Sequence, residues 1–317
     1  MSRVLPVNMA ARAFSTVGLP ASRRVELWET HNAAALIGLD VQASEPLVAA
    51  ELNVHLPGID LARVDGSAHA VQRTREVIDR SPADAIAVYL TLRGDAWFES
   101  PGGSHMLRPG DLLLCETDRP FARGFKRGLR ELVVKVDRTA LADRSGTDAI
   151  RRPVAVSFRD ETTSNQYARA LARIAGRATR TQAPLIAGEG TVLDLIAVLA
   201  GGRAAAPATA HRAAARSYVE DHLTEPRLSA GQVAAAIGVS ERQLSRVFAA
   251  DGTSIPRYIL SRRLHLAYCV LSISAGTERT QTMADVAARC GFTSATYFSH
   301  VFRQHFGHRA SDIRRAT

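Results

Sequence analysis

Arg242, Ser245, Arg246 and Ala249 recur at i, i+3, i+4 and i+7 in the segment that follows Ser240. That spacing places them on one face of a helix, with Leu244, Val247 and Phe248 on the opposite face. A planar guanidinium donates two parallel N–H bonds, which suit phosphate oxygens or the O6/N7 edge of guanine. About 54 residues later the arrangement returns with softer chemistry. Thr296, Ser299, His300 and Arg303 share the outward face, and Phe298, Val301 and Phe302 the inward one. A neutral imidazole both donates and accepts, so His300 is a less committed reader than Arg246, whose place it takes. Tyr297 starts this helix beside them, suited to packing on a sugar–phosphate edge. A solvated face on an ordinary core helix carries the same residue types, so one copy alone would distinguish little. The duplication is what carries the argument.

Each copy needs a scaffold. Residues 233–248 read VAAAIGVSERQLSRVF and residues 286–302 read VAARCGFTSATYFSHVF. Val233 aligns with Val286, Gly238 with Gly291, and Ser240 with Ser294 after one inserted residue. Ser229, with Gln232 three residues on, reads as a capping box that opens the first short helix. Gly238 and Gly291 supply the left-handed turn that ends a helix, and Ser240 and Ser294 cap the next. A short helix, a turn and a second amphipathic helix outline a helix-turn-helix unit. Between the copies, Ser254 and Pro256 open a helix that runs to about Ser274. Twenty residues span about 30 Å, close to the ~34 Å between successive major-groove faces of a duplex. One rigid helix therefore suits holding both outward faces on the same side of double-stranded DNA.

Charge agrees with a polyanionic partner. The 317 residues carry a net +9. Residues 203–317 hold 15 Arg, no Lys and 8 Asp or Glu, so +7 lies in that third of the chain. A coding bias explains Arg over Lys, since Lys126 and Lys135 are the only lysines, but not the asymmetry. Cys115, Cys269 and Cys290 lie far apart in apolar runs and read as buried small hydrophobes. The start lacks a continuous apolar core, and the longest apolar run, near 192–200, is too short to span a bilayer. A cytoplasmic location is the expectation.

The amino-terminal part has a different grain. A coil opens it, and a helix is predicted from about Ser22 to Gly38. From Leu47 to Val136 short β-type runs, including LVAAELNV, HAVQRTREVI, AIAVYLTLRG, AWFES, DLLLCE and LRELVVKV, alternate with turn residues such as Pro109-Gly110-Asp111. Many short antiparallel strands make a small barrel or sandwich. Helical periodicity returns from Ser164 to Leu199 with a break at Pro184. GGRAAAPATA, residues 201–210, is small and unpatterned and reads as a linker between 1–200 and 211–317.

RRLHLA (262–267), ADVAARCGFTSATYFSHVFRQHFG (284–307) and the duplicated unit closely resemble the AraC/XylS family of bacterial transcription regulators. The resemblance spans about residues 211–315. It implies an α+β chain whose carboxy-terminal half is an all-α module of seven helices: two helix-turn-helix units joined by a linker helix, bound to direct-repeat DNA beside promoters. It carries Arg242, Ser245 and Arg246 over as readers in the first unit, and Thr296, Ser299, His300 and Arg303 in the second. The chain departs from the family pattern where a Pro and a Tyr are replaced by Ala310 and Ile313, which puts the capping of the last helix in question. LRPGDLLLCETDRPF (107–121) looks like the sensor half of such regulators, a cupin-like antiparallel β-barrel with trailing helices. The expected partners are promoter DNA, RNA polymerase, an unknown small-molecule effector and a second copy of the chain. The expected role is an activator.

Tyr89, Trp97 and Phe121 are candidates to line an apolar barrel pocket, with Arg73 as an anion anchor; ordinary barrel packing and a surface ion pair are the plainer readings. Metal-dependent cupins need a clustered His/Glu set, whereas His55, His69 and His105 are isolated, so no metal and no cofactor is expected. No G-x-S-x-G, phosphate loop or Cys/His nucleophile pattern is present, so no catalytic residue is assigned. Two alternatives remain: a ligand-independent regulator whose barrel only dimerises or binds a protein, and a cupin-type enzyme fused to a DNA-binding tail.

Overall fold

Apolar residues at every second position organise the amino-terminal part of the chain into two antiparallel sheets. The computed structural model describes residues 11–145, 150, 152–159, 165–181, 189–201, 207–274 and 282–315. Its strands are β1 (Ala11–Ser15), β2 (Asp40–Gln42), β3 (Ala49–Leu56), β4 (Ile59–Gly66), β5 (His69–Arg73), β6 (Ala85–Arg93), β7 (Ala96–Ser100), β8 (Gly103–Leu107), β9 (Asp111–Glu116), β10 (Phe121–Phe125), β11 (Leu129–Asp137) and β12 (Val154–Ser157). The larger sheet has the order β1-β3-β4-β11-β6-β9-β12 and the smaller β2-β5-β10-β7-β8. Every strand pair recorded in them is antiparallel.

Helix α1 (Arg24–Ala35) follows β1, α2 (Arg75–Arg80) follows β5, and α3 (Arg138–Ser145) follows β11. One core joins both sheets to α1, with Trp28, Leu47, Tyr89, Phe98, Leu113 and Val133 buried together. Each such large apolar side chain is worth about 1.5–3 kcal/mol of burial. Helices α4 (Gln166–Thr181) and α5 (Glu189–Leu199) trail behind, α4 packing on β3, β4 and β11 and α5 on α3 and α4.

Pro207–Asp221 forms α6, and α7 (Ala230–Ala236), α8 (Glu241–Ala249), α9 (Ile255–Ser274), α10 (Met283–Arg289), α11 (Ala295–Phe306) and α12 (Ala310–Arg315) complete an all-helical part. The chain divides into two compact units after Ala213, inside α6. In the second unit Phe298 and Phe302 are fully buried against Leu264, Leu271 and Val286.

The α+β architecture expected from the sequence is present: antiparallel sheets with trailing helices, then two helical pairs joined by α9. Several local expectations change. Residues 11–15, read as coil, are strand β1, paired with β3. HAVQRTREVI is not one strand: Thr74 accepts from the Val77 N–H at 3.3 Å and turns 75–80 into α2. Residues 207–210, read as linker, are helical, while 202–206 lie outside the described residues, as do 1–10. Cys115 and Cys290 are buried as expected, but Cys269 is exposed on α9. At the last helix the missing Pro is replaced by a side-chain cap: the Arg309 N–H donates to Asp312 at 3.0 Å. Ala310 is buried there and Ile313 packs on the second core.

Candidate functional site

The two helical pairs are built by the same local devices. Ser229 accepts from the Gln232 N–H, and its own N–H donates back to Gln232 Oε1 at 3.1 Å, a closed capping box. Thr282 and Asp285 repeat it ahead of α10, a signal the sequence reading passed over. Gly291 sits at φ +81°, and a Cβ there would stand 2.8 Å from the Leu223 carbonyl oxygen. Only glycine fits that turn, because both the backbone sign and the close approach exclude a side chain. Ser240 then caps α8, accepting from the Gln243 N–H at 3.2 Å, and Ser294 caps α11, accepting from Tyr297 at 3.2 Å.

With these starts fixed, Leu244, Val247 and Phe248 are buried on α8, and Phe298, Val301 and Phe302 on α11. Arg242, Ser245 and Arg246 are exposed on the other face of α8. Thr296, Tyr297, Ser299, His300 and Arg303 are exposed on α11, Tyr297 at 52%. The Ser299 hydroxyl donates to the Ala295 carbonyl at 2.9 Å, leaving its lone pairs outward. Arg242, Arg246 and Arg303 form no ion pair among the described residues. Three arginines off these faces are committed to structure. Arg216 pairs with Asp251 at 2.9 Å, Arg262 is bound to Glu220, and the Arg263 Nε donates to the Leu223 carbonyl at 2.9 Å. Arg242, Arg246 and Arg303 thus stand exposed and without an ion pair on the two helix faces that the duplicated pattern singles out.

The four barrel candidates do not converge. Arg73 is fully buried, and donates to the carbonyls of Thr117 (2.6 Å), Gly38 (2.7 Å) and Ser81 (2.9 Å) and to Asp118 (2.8 Å). Its donors are spent on holding main chain, so it is a structural clamp and not an anion anchor. Trp97 lies on the outer face of the smaller sheet, because strand alternation turns it away from buried Phe98, and a Cβ at Gly124 would overlap its indole. Tyr89 and Phe121 are inside, with ring centres 6.4 Å apart, yet Phe121 borders a separate cleft of about 380 Å³.

The polar centre of the barrel is a pair that the sequence reading missed. Arg123 of β10 donates to both oxygens of Glu131 on β11, at 3.0 and 2.7 Å, and both residues are buried. Together with Tyr89, Trp28, Asn32 and Phe125 they line a cavity of about 40 Å³. The period-two pattern Phe121–Arg123–Phe125 was the available signal for an inward-facing Arg. Burial pushes the Tyr89 hydroxyl above its ordinary range and the Cys115 thiol up to about 12. Among the described residues no three His, Cys, Asp or Glu converge as a metal site, and no helix is long and apolar enough to cross a membrane. His55 is taken by Asp60, and His69 by the Ser67 carbonyl at 2.7 Å.

Comparison with known proteins follows the same division. A family model described as an AraC-binding-like domain matches residues 33–226, and one described as a helix-turn-helix domain matches residues 233–316. The transcriptional activator NphR of Rhodococcus sp is 24% identical over 257 residues, 78% of this chain and 75% of that protein. The transcriptional activator RhrA of Rhizobium meliloti (strain 1021) is 36% identical over 126 residues, 38% of this chain and 39% of that protein. The crystal structure of the AraC-like transcriptional activator CuxR covers 82% of this chain and 95% of its own at 19% identity, with a TM-score of 0.49. With its AraC-binding-like β domain and its paired helix-turn-helix units, the chain belongs to the AraC family of DNA-binding transcription regulators.

Proposed function

We propose that this chain is a ligand-responsive activator, working in the cytoplasm and without catalytic activity of its own, that reads promoter DNA through α8 and α11. The observation that carries the reading is the set of exposed, unpaired donors on those two helices. Arg242 and Arg246 suit guanine edges or phosphates, Ser245 and Thr296 short hydrogen bonds to either, and His300 and Arg303 a second, softer site. Tyr297 packs at the sugar–phosphate edge. The relatives named as activators support the sign of regulation and, with it, a contact to RNA polymerase. A second copy of the chain is expected across the trailing helices α4 and α5.

The test is a binding site selected from random-sequence DNA with the full chain, then footprinted with variants. Arg246→Ala is expected to lose about 1–3 kcal/mol and to relax specificity at one position. His300→Ala is expected to do the same, more weakly, in the other half of the site. Footprints unchanged by both substitutions would overturn the reading.

A further inference from the structure

The two helical pairs share one helix but not one core. The first pair packs on the start of α9, where Ile255 and Ile259 are buried and the Tyr258 ring lies 5.6 Å from Phe248. The second pair packs on its later turns. There Leu264, Ala267 and Leu271 join Val286, Phe298 and Phe302 in a cluster that holds no described residue of α7 or α8. Each pair is therefore oriented on α9 by its own core. The changeover falls at Arg263, and this one side chain ties the two orientations together.

Arg263 is half-buried and reaches back to the turn that leads into α7. Its Nε donates to the Leu223 carbonyl at 2.9 Å and its Nη2 to the Glu225 carbonyl at 2.5 Å. The Glu225 carbonyl also accepts from the Leu228 N–H at 3.1 Å, one residue before the Ser229 cap of α7. On its other side the same fork meets the turn between α10 and α11. A Cβ at Gly291 would stand 2.9 Å from Arg263 Nε and 2.8 Å from the Leu223 oxygen, so that turn rests directly on the hydrogen bond. Three residues on, Ser294 caps α11. The entry to the first pair and the start of the second reading helix thus meet on one guanidinium. Pro226, Ile259 and Phe292 wall the same junction, a cleft of about 230 Å³ that Tyr297 of α11 also lines. Burial holds Arg263 below its usual range, and no carboxylate pairs with it among the described residues, whereas Arg262 beside it is bound to Glu220. A partly buried cation without a counter-ion is costly. What it secures is the fork, since a lysine supplies the charge but not two donors in a fixed plane.

We propose that Arg263 is a positioning residue for DNA recognition: it sets the orientation of α11 relative to α8, and with it the separation of half-sites that the chain accepts. The proposal rests on the reading of α8 and α11 as the helices that enter the major groove. In this role Arg263 does not touch DNA. Adding one base pair between two half-sites moves the second by about 3.4 Å and turns it by about 35°. A junction closed by the fork resists that change, and a junction without it follows by swivelling. Arg242, Arg246 and Arg303 then decide which bases are read, and Arg263 at what distance.

Full-length parent, Arg263→Lys and Arg263→Gln are measured against the selected DNA site and against versions with one base pair removed, or one or two added, between the half-sites. The parent is expected to lose affinity roughly ten-fold or more with each such change. Both variants are expected to flatten this profile to within about three-fold, while base substitutions in either half-site weaken all three proteins alike. Arg263→Lys separates positioning from contact, because lysine restores a phosphate contact but not a fork on two carbonyls. A salt dependence whose slope falls by about one in Arg263→Gln marks a direct phosphate contact and overturns the proposal. So does a parent that accepts every spacing equally, or a sharp profile kept by variants whose circular dichroism matches the parent. If neither variant folds, Gly291→Ala presses on the same bond from the other side with the guanidinium in place. It too is expected to lose the spacing dependence, and a parent-like profile overturns the proposal. Such a failure, with footprints still sensitive to Arg246→Ala and His300→Ala, strikes only the role of Arg263. Insensitive footprints strike the reading of α8 and α11 itself.

Discussion

The Arg123 guanidinium lies 3.6 Å from the centre of the Tyr89 ring, over its face. From there it reaches Glu131 with both terminal nitrogens. The stack and the fork together fix one buried cation between two strands that strand pairing alone does not join.

Arg123→Met should therefore be severe, because it leaves Glu131 ionised, buried and close to Glu51. A loss of about 3–5 kcal/mol is expected. The double variant Arg123→Met, Glu131→Leu should recover most of it, since two apolar groups replace a pair whose desolvation was already expensive. Urea denaturation of the four members of this cycle measures the coupling. Additive effects would show that the ion pair is not the element that matters.

Glu51 gives stability a pH dependence of definite sign. Burial pushes its carboxyl from the ordinary 4.5 up to about 8; the Asn53 amide opposes this, and the Glu131 charge adds to it. Between those values the folded chain holds a proton that the unfolded chain has released. Folding stability therefore falls as pH rises from 4.5 to about 8 and levels off above. The slope contributed is about 1.4 kcal/mol per pH unit at most. Glu51→Gln should remove that slope, so the variant gains on the parent steadily across the window. Thermal melts of both proteins at four pH values, at fixed ionic strength, compare them directly.

Gly291→Ala should cost more than about 1 kcal/mol, since it combines a strained positive φ with a carbonyl contact. The damage should be local to the second unit. Footprints are expected to lose protection in the half-site read by α11 and to retain it under α8. Uniform loss along the site would mean that the two helical pairs do not read separately.

A fragment of residues 207–317, which keeps α6 whole, should bind the selected DNA site more weakly than the full chain but with the same base preference. Loss of the barrel removes the avidity of a dimer and leaves the reading faces intact. A folded fragment with no preference among sequences would mean that residues before 207 take part in recognition.

The helical unit was legible because its determinants are local. Ser229, Gly238 and Ser240 each act within four residues, and the burial of Leu244, Val247 and Phe248 follows from a 3.6-residue period. Repetition of the pattern removed the remaining ambiguity. The barrel was legible only as a class. Six of its strands, β1, β2, β4, β8, β10 and β12, are short or carry charges, and all of them but β8 pair with a strand far along the chain. Arg73 and Arg123 illustrate the limit. Both are strand arginines between apolar neighbours, yet one is spent on the carbonyls of Gly38, Ser81 and Thr117, and the other on Glu131 and Tyr89. No spacing within the chain ranks them, because the partners that decide are brought near by the sheet order. Trp97 was misplaced for the same reason: alternation says that it opposes Phe98 but not which of the two faces inward.

The buried Glu51 also bears on how long each molecule lasts. Near neutral pH the folded chain buries the Glu51 carboxyl in its protonated form, and any ligand bound by the folded chain alone adds to its stability. By mass action that gain grows with the ligand's concentration. A shift of one or two kcal/mol is enough to change the steady-state level of a protein severalfold where unfolded chains are degraded. The effector would then set the abundance of its regulator as well as its activity, and a cell starved of the compound would clear the protein that reports it.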